Sequence, residues 1–346
     1  MSHFSVLAVV DVGSVSTNEP EDTYAMLDEA EEQLACLMAP YDENSFDPDC
    51  LVFVDCTQEV EMDYATGTVV CVKTPDGRFL SEFDREIYGK FEIRGEEIVQ
   101  CRSGQLHHPR RSRKAKKYKV LTNYPLKKRF PTLEAYAKDF GYRYDAATGR
   151  YGYDSNPAAK WDWYTVGGRW EYRFLVKEDC QTDIERRRFA VLSDDAAPPA
   201  PAGYRWTSGA RKKDIQWDMM KEIAVAEAKA RYARYKAWFE QGEITGIDYP
   251  LLRITEEGIR DWDQLVYVKG ETQDDYLTRT GMSEQDYYLC SFYAAVTEDG
   301  WASIGEMGWF GISHDQMKER TWHDQLQTIL KDASEDAMLI SVDCHT

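Results

Sequence analysis

Between Asn156 and Trp170 the chain reads N-P-A-A-K-W-D-W-Y-T-V-G-G-R-W, and this stretch limits its folding more than any other. Three tryptophans (Trp161, Trp163, Trp170) and Tyr164 fall within fifteen residues. Rings of this size must bury a large area, and each buried indole N–H needs a partner. Gly167-Gly168 permits positive φ, so the backbone can turn sharply there and direct N–H groups at an acceptor. Lys160, Asp162 and Arg169 add charge of both signs. The segment therefore reads either as a structural knot, with the rings in a core and the charges paired on its rim, or as a pocket. In a pocket the Gly-Gly turn would donate N–H groups to a phosphate or carboxylate, Arg169 would supply a bidentate fork, and an indole face would stack on a base or ring. The candidate ligand-binding residues are Lys160, Trp161, Asp162, Trp163, Gly167, Gly168, Arg169 and Trp170. The pattern lacks the Lys-Ser/Thr of a P-loop and the spacing of a dinucleotide fingerprint.

The rest of the chain can supply a core for this segment. Its 346 residues are 43% hydrophobic and 13% aromatic, enough for one large domain or two ordinary ones. No apolar run approaches the roughly 18–20 residues of a membrane span. The opening Met1-Ser2-His3-Phe4 lacks the basic and apolar regions of a secretory signal, so the expectation is a cytoplasmic protein. The eight cysteines form no C-x-x-C pair and read as reduced thiols.

The formal charge is −19, which on average repels nucleic acid. Against that average, eleven Lys or Arg and no acid lie between Arg102 and Pro131. This basic insertion (102–131) reads as a loop paired with an acidic surface, as a solvated loop, or, less favoured, as a nucleic-acid contact through Arg110–Lys119.

Periodicity suggests a buried strand at Ser5–Val10 and a helix from about Tyr24 to Met38, capped by Thr23, with Leu27, Ala30, Leu34, Leu37 and Met38 on one face. Strands or hairpins are expected at 51–54, 67–80, 87–99, 142–153 and 170–176, and a short helix after a Thr132 cap. Ala196–Ala202 (A-A-P-P-A-P-A) is the clearest loop signal. One long helix, about 214–240, should present Ile215, Met219, Ile223, Ala226, Ala230, Ala233 and Ala237. A short helix is expected at 255–263, a strand at 289–296, a helix at about 315–331 and a last strand at Met338–Val342. The predicted class is α+β, with a mixed or antiparallel sheet that joins the N- and C-terminal strands. Two regions are expected, 1–195 with the basic and Trp-rich segments and 203–346, sharing one core.

Several of these stretches carry a likeness. Met1-Ser2-His3-Phe4, Leu37–Asn44 (L-M-A-P-Y-D-E-N), Gly149–Tyr153 with the following Trp segment, Lys213-Asp214-Ile215, Gly305–Gly311 (G-E-M-G-W-F-G) and Val342-Asp343-Cys344-His345 together resemble an uncharacterised family of phage and mobile-element proteins. The likeness runs from one end of the chain to the other, and the chain departs from it in its longer acidic and basic insertions. The resemblance implies a phage or prophage accessory setting and supplies no catalytic residues.

Other constellations are thinner. If the terminal strands pair antiparallel, His3 approaches His345, and Cys344 with Asp343 or Asp11 would complete a metal-like set; packed or exposed strand-end residues are the plainer reading. No nucleophile motif and no H-E-x-x-H occurs. Two functions of different kinds remain. One is an accessory binding protein that occupies a host protein or sequesters a ligand, an anti-defence role included. The other is a metal-dependent hydrolase or nuclease acting on a phosphorylated substrate, with Lys160, Trp161 and Arg169 binding it and Asp162 and Asp343 holding the metal. The partners expected are a host protein and a phosphate-containing small ligand; no cofactor is specified.

Overall fold

The computed structural model describes residues 2–13, 20–88, 90–102, 105–110, 117–184, 190–191, 197–246, 251–262, 264–282, 292–307 and 313–346. The chain is α+β and forms two compact units, one of Met1–Ser45 with Ala158–Thr346 and one of Phe46–Pro157.

The first unit is built on a seven-stranded mixed sheet, whose strands are numbered here in chain order: β1 His3–Val10, β2 Trp163–Gly167, β3 Ala190–Val191, β4 Gly209–Arg211, β5 Ala294–Thr297, β6 Gly300–Ser303 and β7 Met338–His345. The order is β3-β2-β7-β1-β5-β6, and β4 shares with β2 one edge of β7. The terminal strands meet as expected. β1 and β7 pair antiparallel over eight residues, from His3↔His345 to Val10↔Met338.

Both central strands are buried along nearly their whole length. One face (Phe4, Val6, Ala8, Val10; Met338, Ile340, Val342, Cys344) packs on helix α1, Pro20–Met38, through Leu27, Ala30, Leu34 and Met38. These four helix residues recur every three or four positions, and the three larger side chains each contribute about 1.5–3 kcal/mol on burial. Thr23 lies inside this helix and does not cap it, because the helix begins earlier, at Pro20. The opposite face carries Leu7, Val9, Ala295 and Leu339. It is covered by Phe174–Val176, by Met220 of α2 (Trp217–Gln241) and by Trp322, Leu326 and Leu330 of α4 (Glu319–Asp332).

α2 is the expected long helix, but its buried residues are Met220, Val225, Ala228, Tyr232 and Trp238. The larger side chains set its packing, and Ala226, Ala230 and Ala233 face solvent. Beyond it, Leu252–Ile254, Gly258–Asp261 and Gln264–Val268 form an antiparallel sheet, joined by α3, Gln273–Arg279. In place of the helix expected at 255–263 the chain turns at 255–257 and runs as a strand at Gly258–Asp261. Gly258 sits at φ +150°, where a side chain would strike the Tyr267 carbonyl, and Ile259 is fully buried.

The second unit holds three small antiparallel sheets and the helices Thr57–Thr66, Leu126–Arg129 and Leu133–Asp139. Thr132 caps the last of these by accepting the Ala135 N–H. The compact units divide the chain elsewhere than at the Pro-rich loop, because Phe174–Lys177 before that loop pairs antiparallel with Tyr204–Thr207 after it. Charge also divides unevenly. Of 61 acids and 42 bases, 17 and 19 fall within Phe46–Pro157, so this unit carries +2 and the other −21. Within the basic stretch, residues 111–116 lie outside the described residues, so Arg110–Lys119 is not placed as a whole.

Candidate functional site

The second face of the main sheet changes character along its length. Side chains alternate between faces, so His3, Ser5, Leu7 and Val9 share a face with His345, Asp343, Ser341 and Leu339. The apolar half of this face is core. The other half is a polar patch in three registered rows, because β2 extends it with Trp163 opposite His345 and Thr165 opposite Asp343.

Within the patch two imidazoles are each clamped by a different carboxylate. His3 donates from Nδ1 to Asp343 Oδ1 at 2.9 Å, and His345 donates from Nδ1 to Asp162 Oδ1 at 2.6 Å. A carboxylate on Nδ1 fixes the tautomer and leaves Nε2 as the working nitrogen. The rings stand edge to face with centroids 5.0 Å apart, and the Trp163 indole stacks on His345 at 5.0 Å and 16°. Asp343 and His345 are buried, His3 keeps 11% of its side chain exposed, and Trp163 is 44% exposed.

The Gly-Gly bend serves this cluster directly. Gly167 and Gly168 take φ of +77° and +56°, and the next N–H, that of Arg169, is donated to Asp343 Oδ2 at 3.0 Å. The acceptor for the turn is thus a carboxylate of the protein itself. A Cβ on Gly168 would lie 2.6 Å from that same oxygen. Asp343 consequently receives a ring N–H on one oxygen and a backbone N–H on the other, which supports a buried charge. Tyr172, just beyond, also has positive φ (+59°), and Ser341 Oγ donates to the Trp170 carbonyl at 2.7 Å. Strain of this kind gathers where the surroundings over-determine the backbone.

Of the eight residues singled out from the sequence, Asp162, Trp163, Gly168 and Arg169 meet at this patch. The Arg169 side chain is exposed and, like that of Lys160, has no partner among the described residues. Trp161 belongs instead to the core on the α1 face, edge to face with Tyr164 at 4.9 Å. Burial there raises the Tyr164 hydroxyl above its ordinary pKa. Trp170 is half-buried with the Arg173 guanidinium 5.9 Å from its ring, and burial lowers the pKa of that arginine. Gly167 packs against Ser208.

Some polar atoms remain unmatched. The ring nitrogens His345 Nε2, Trp161 Nε1 and Trp170 Nε1 are buried with no hydrogen-bond partner among the described residues. All three belong to the Trp segment or to the strand it pairs with. Each costs about 1–3 kcal/mol if left unsatisfied.

The metal-like set does not assemble. Alternation sends Cys344 to the α1 face, where burial raises its thiol pKa well above the usual value, and Asp11 lies past the opposite end of β1. Asp162 and Asp343 each clamp a histidine and do not converge. Among the described residues no group of three or more His, Cys, Asp and Glu is placed to hold a metal ion. Sequence reading treated His3, Asp343 and His345 only as such a set. The signal that marks them is H-x-S at 3–5 and S-x-D-x-H at 341–345, polar residues at every second position of strands otherwise apolar. No protein-family model, curated protein or solved structure matches the chain significantly. Among the described residues no helix is long and apolar enough to cross a membrane.

Proposed function

We propose that the polar end of the sheet is an acid–base site that cleaves a phosphoester in a nucleotide or nucleic-acid fragment. The observation that carries this reading is the pair of imidazoles in cross-strand register, each held at Nδ1 by its own carboxylate. Cleavage of a phosphoester needs a base to take a proton from the attacking hydroxyl and an acid to give one to the leaving oxygen. His3, with its partly exposed ring, takes the proton from water at Nε2. As water oxygen bonds to phosphorus and the ester P–O bond breaks, protonated His345 gives its Nε2 proton to the departing alkoxide. Water and ester thus become a phosphate and an alcohol, and proton exchange with solvent resets the two rings. Asp343 and Asp162 orient each ring through its Nδ1–H, so that Nε2 is the nitrogen that exchanges protons. The Arg169 cation, which has no partner among the described residues, supplies charge for the phosphate, and the exposed Trp163 face supplies a stacking surface for a base. The indole stacks over the His345 ring, whose Nε2 is buried, so substrate entry requires Trp163 to move aside.

The test is turnover of bis(p-nitrophenyl) phosphate and of a 3′,5′-dinucleotide, with and without chelator. His3→Gln should lower the rate roughly 10²–10⁴-fold while the fold is retained. Absent turnover of both substrates, or turnover that His3→Gln leaves intact, would refute the reading.

A second reading has its own support. We infer from the phage-family likeness and the −21 charge of the first unit that the chain also suits an accessory protein of a phage or prophage in the host cytoplasm. It would occupy a basic, nucleic-acid-binding host protein, as an anti-defence factor does. Recovery of no stoichiometric partner on affinity capture from host lysate would count against it.

A further inference from the structure

Away from the sheet end, the first unit contains a cavity of about 430 Å³ bounded by α2, the end of α3, the strand before α3 and the start of α4. This lies within the roughly 300–1,000 Å³ of small-molecule sites. Its charge is unusual for its surroundings. The unit as a whole carries −21, yet three arginines, Arg231, Arg279 and Arg320, line this cavity beside His323, against the one lining carboxylate of Glu319.

The three arginines are not equivalent. Arg279 is a fixed fork: Nε and Nη2 donate to Glu271 at 3.0 and 2.9 Å, and Nη1 and Nη2 reach the Leu265 and Val266 carbonyls at 3.3 Å. It gives the cavity a rigid wall, with its charge matched by Glu271. Arg231, on the exposed side of α2, has no partner among the described residues. Arg320 lies 3.6 Å from Asp324, and both are more than half exposed, so solvent screens that pair. His323 stands 3.8 Å from Glu319, beyond hydrogen-bond length.

The helix that brings Arg320 and His323 adds to the effect. α4 has fourteen residues, and Lys318 at its N-cap makes no side-chain capping bond. Its first turn, which lines the cavity, presents the positive end of the helix dipole without a side-chain cap, offset in part by the Glu319 carboxylate of that turn. Elements about 90 residues apart thus deliver like charges to one concavity. Arg279 is matched by Glu271 and Arg320 faces Asp324, so Arg231 is the charge in this concavity for which a bound anion would supply the counter-charge. Tyr235 beside Arg231 gives the same cavity an aromatic wall.

We propose that this cavity is an anion site that takes a phosphate group carried by a small molecule, separate from the histidine patch and independent of any activity there. Arg231 and Arg320 supply the neutralising charge, the α4 terminus and Arg279 the shape, and Tyr235 a surface for the rest of the ligand.

The experiment is calorimetric titration of the full chain with inorganic phosphate, with adenosine monophosphate and, as the carboxylate counterpart, with citrate. The probes are repeated on Arg231→Gln/Arg320→Gln, whose positions are exposed enough to leave the fold intact, and on His3→Gln/Arg169→Gln. Support is one phosphate per chain, bound at least 10-fold more weakly by the cavity variant, unaffected by the sheet-end variant, and weakened by added salt. Tighter binding of the nucleotide than of inorganic phosphate supports the role of Tyr235. Preference for citrate over both phosphates overturns the phosphate assignment. Absence of binding, or loss only in the sheet-end variant, overturns the site.

Discussion

Replacing Gly168 with alanine tests whether the Gly-Gly bend exists to seat Asp343. Two costs add at this position. A side chain at φ +56° meets the left-handed penalty, about 1–2 kcal/mol. The new Cβ would also stand 2.6 Å from Asp343 Oδ2, 2.7 Å from Asp343 Cβ and 2.8 Å from Thr165 Cγ2, none of which can withdraw easily from a buried row of the sheet. Overpacking of this sort costs about 1–3 kcal/mol. The sum is roughly 2–5 kcal/mol. Gly270 supplies the control, since it lies in the same unit at φ +80° with nothing within 4 Å of its would-be Cβ. Gly270→Ala should therefore show the conformational cost alone. Urea unfolding of the two variants, followed by tryptophan fluorescence, measures the difference, expected at about 1–3 kcal/mol. Equal destabilisation would mean that the bend does not press on Asp343, and the clamp on His3 would lose its support.

Further outcomes follow from burial. Trp161→Ala should destabilise by about 3–5 kcal/mol, whereas Trp163→Ala, which removes a ring 44% exposed, should cost about 1 kcal/mol of stability and weaken substrate binding by about 1–3 kcal/mol of lost stacking; thermal melts beside the phosphodiester assay separate the two. Cys344, fully buried with its thiol pKa well above normal, should resist a thiol reagent until the protein unfolds, while exposed Cys36 reacts in the native state. Burial lowers the His323 pKa, outweighing the upward pull of Glu319 and Asp324. The unfolded chain then takes up the proton first. Stability is fully present above the ordinary histidine value of roughly 6.5 and falls as pH drops below it. His323→Gln should flatten that part of the stability curve, and an unchanged slope would assign it to other groups.

The parts of this fold legible in the sequence are those governed by short-range alternation or periodicity. The pairing of β1 with β7 and the α1 stripe at Leu27, Ala30, Leu34 and Met38 are of this kind. α2 shows where that reasoning fails. Its alanines mark a plausible face, but Tyr232 and Trp238 bury more area against the sheet at 252–268, and the larger rings decided which way the helix turned. Residues 255–263 failed for another reason. Their acid-rich composition favours a helix, but the backbone at Gly258 fits only a tight strand start. In the Trp segment the sequence could not separate Trp161 from Trp163. They are two residues apart, with the chain entering the sheet between them, so one ring is core and the other lies over His345.

The polar end of the sheet is expensive to maintain, and that expense bears on what it does. A strand pair buried on both faces is most stable when both faces are apolar, as β1 and β7 are from Val6 to Val10 and from Met338 to Val342, except at Ser341. Continuing that pattern would place apolar side chains where His3, Ser5, Asp343 and His345 stand. Burying a carboxylate and two imidazoles there instead carries a desolvation penalty that hydrogen bonds must offset. Asp343 recovers it through His3 and Arg169, and His345 recovers half through Asp162, but His345 Nε2 has no partner to recover the rest. Departures from a stable pattern with no structural return are expected at functional sites. A ligand oxygen that reaches this nitrogen would remove the outstanding penalty of about 1–3 kcal/mol. Occupancy of the site should therefore raise the thermal midpoint of the native chain and of Trp163→Phe, but not of His345→Phe, whose apolar ring removes the unmatched atom. A midpoint shift that survives in His345→Phe would place the ligand elsewhere and detach the histidine pair from substrate.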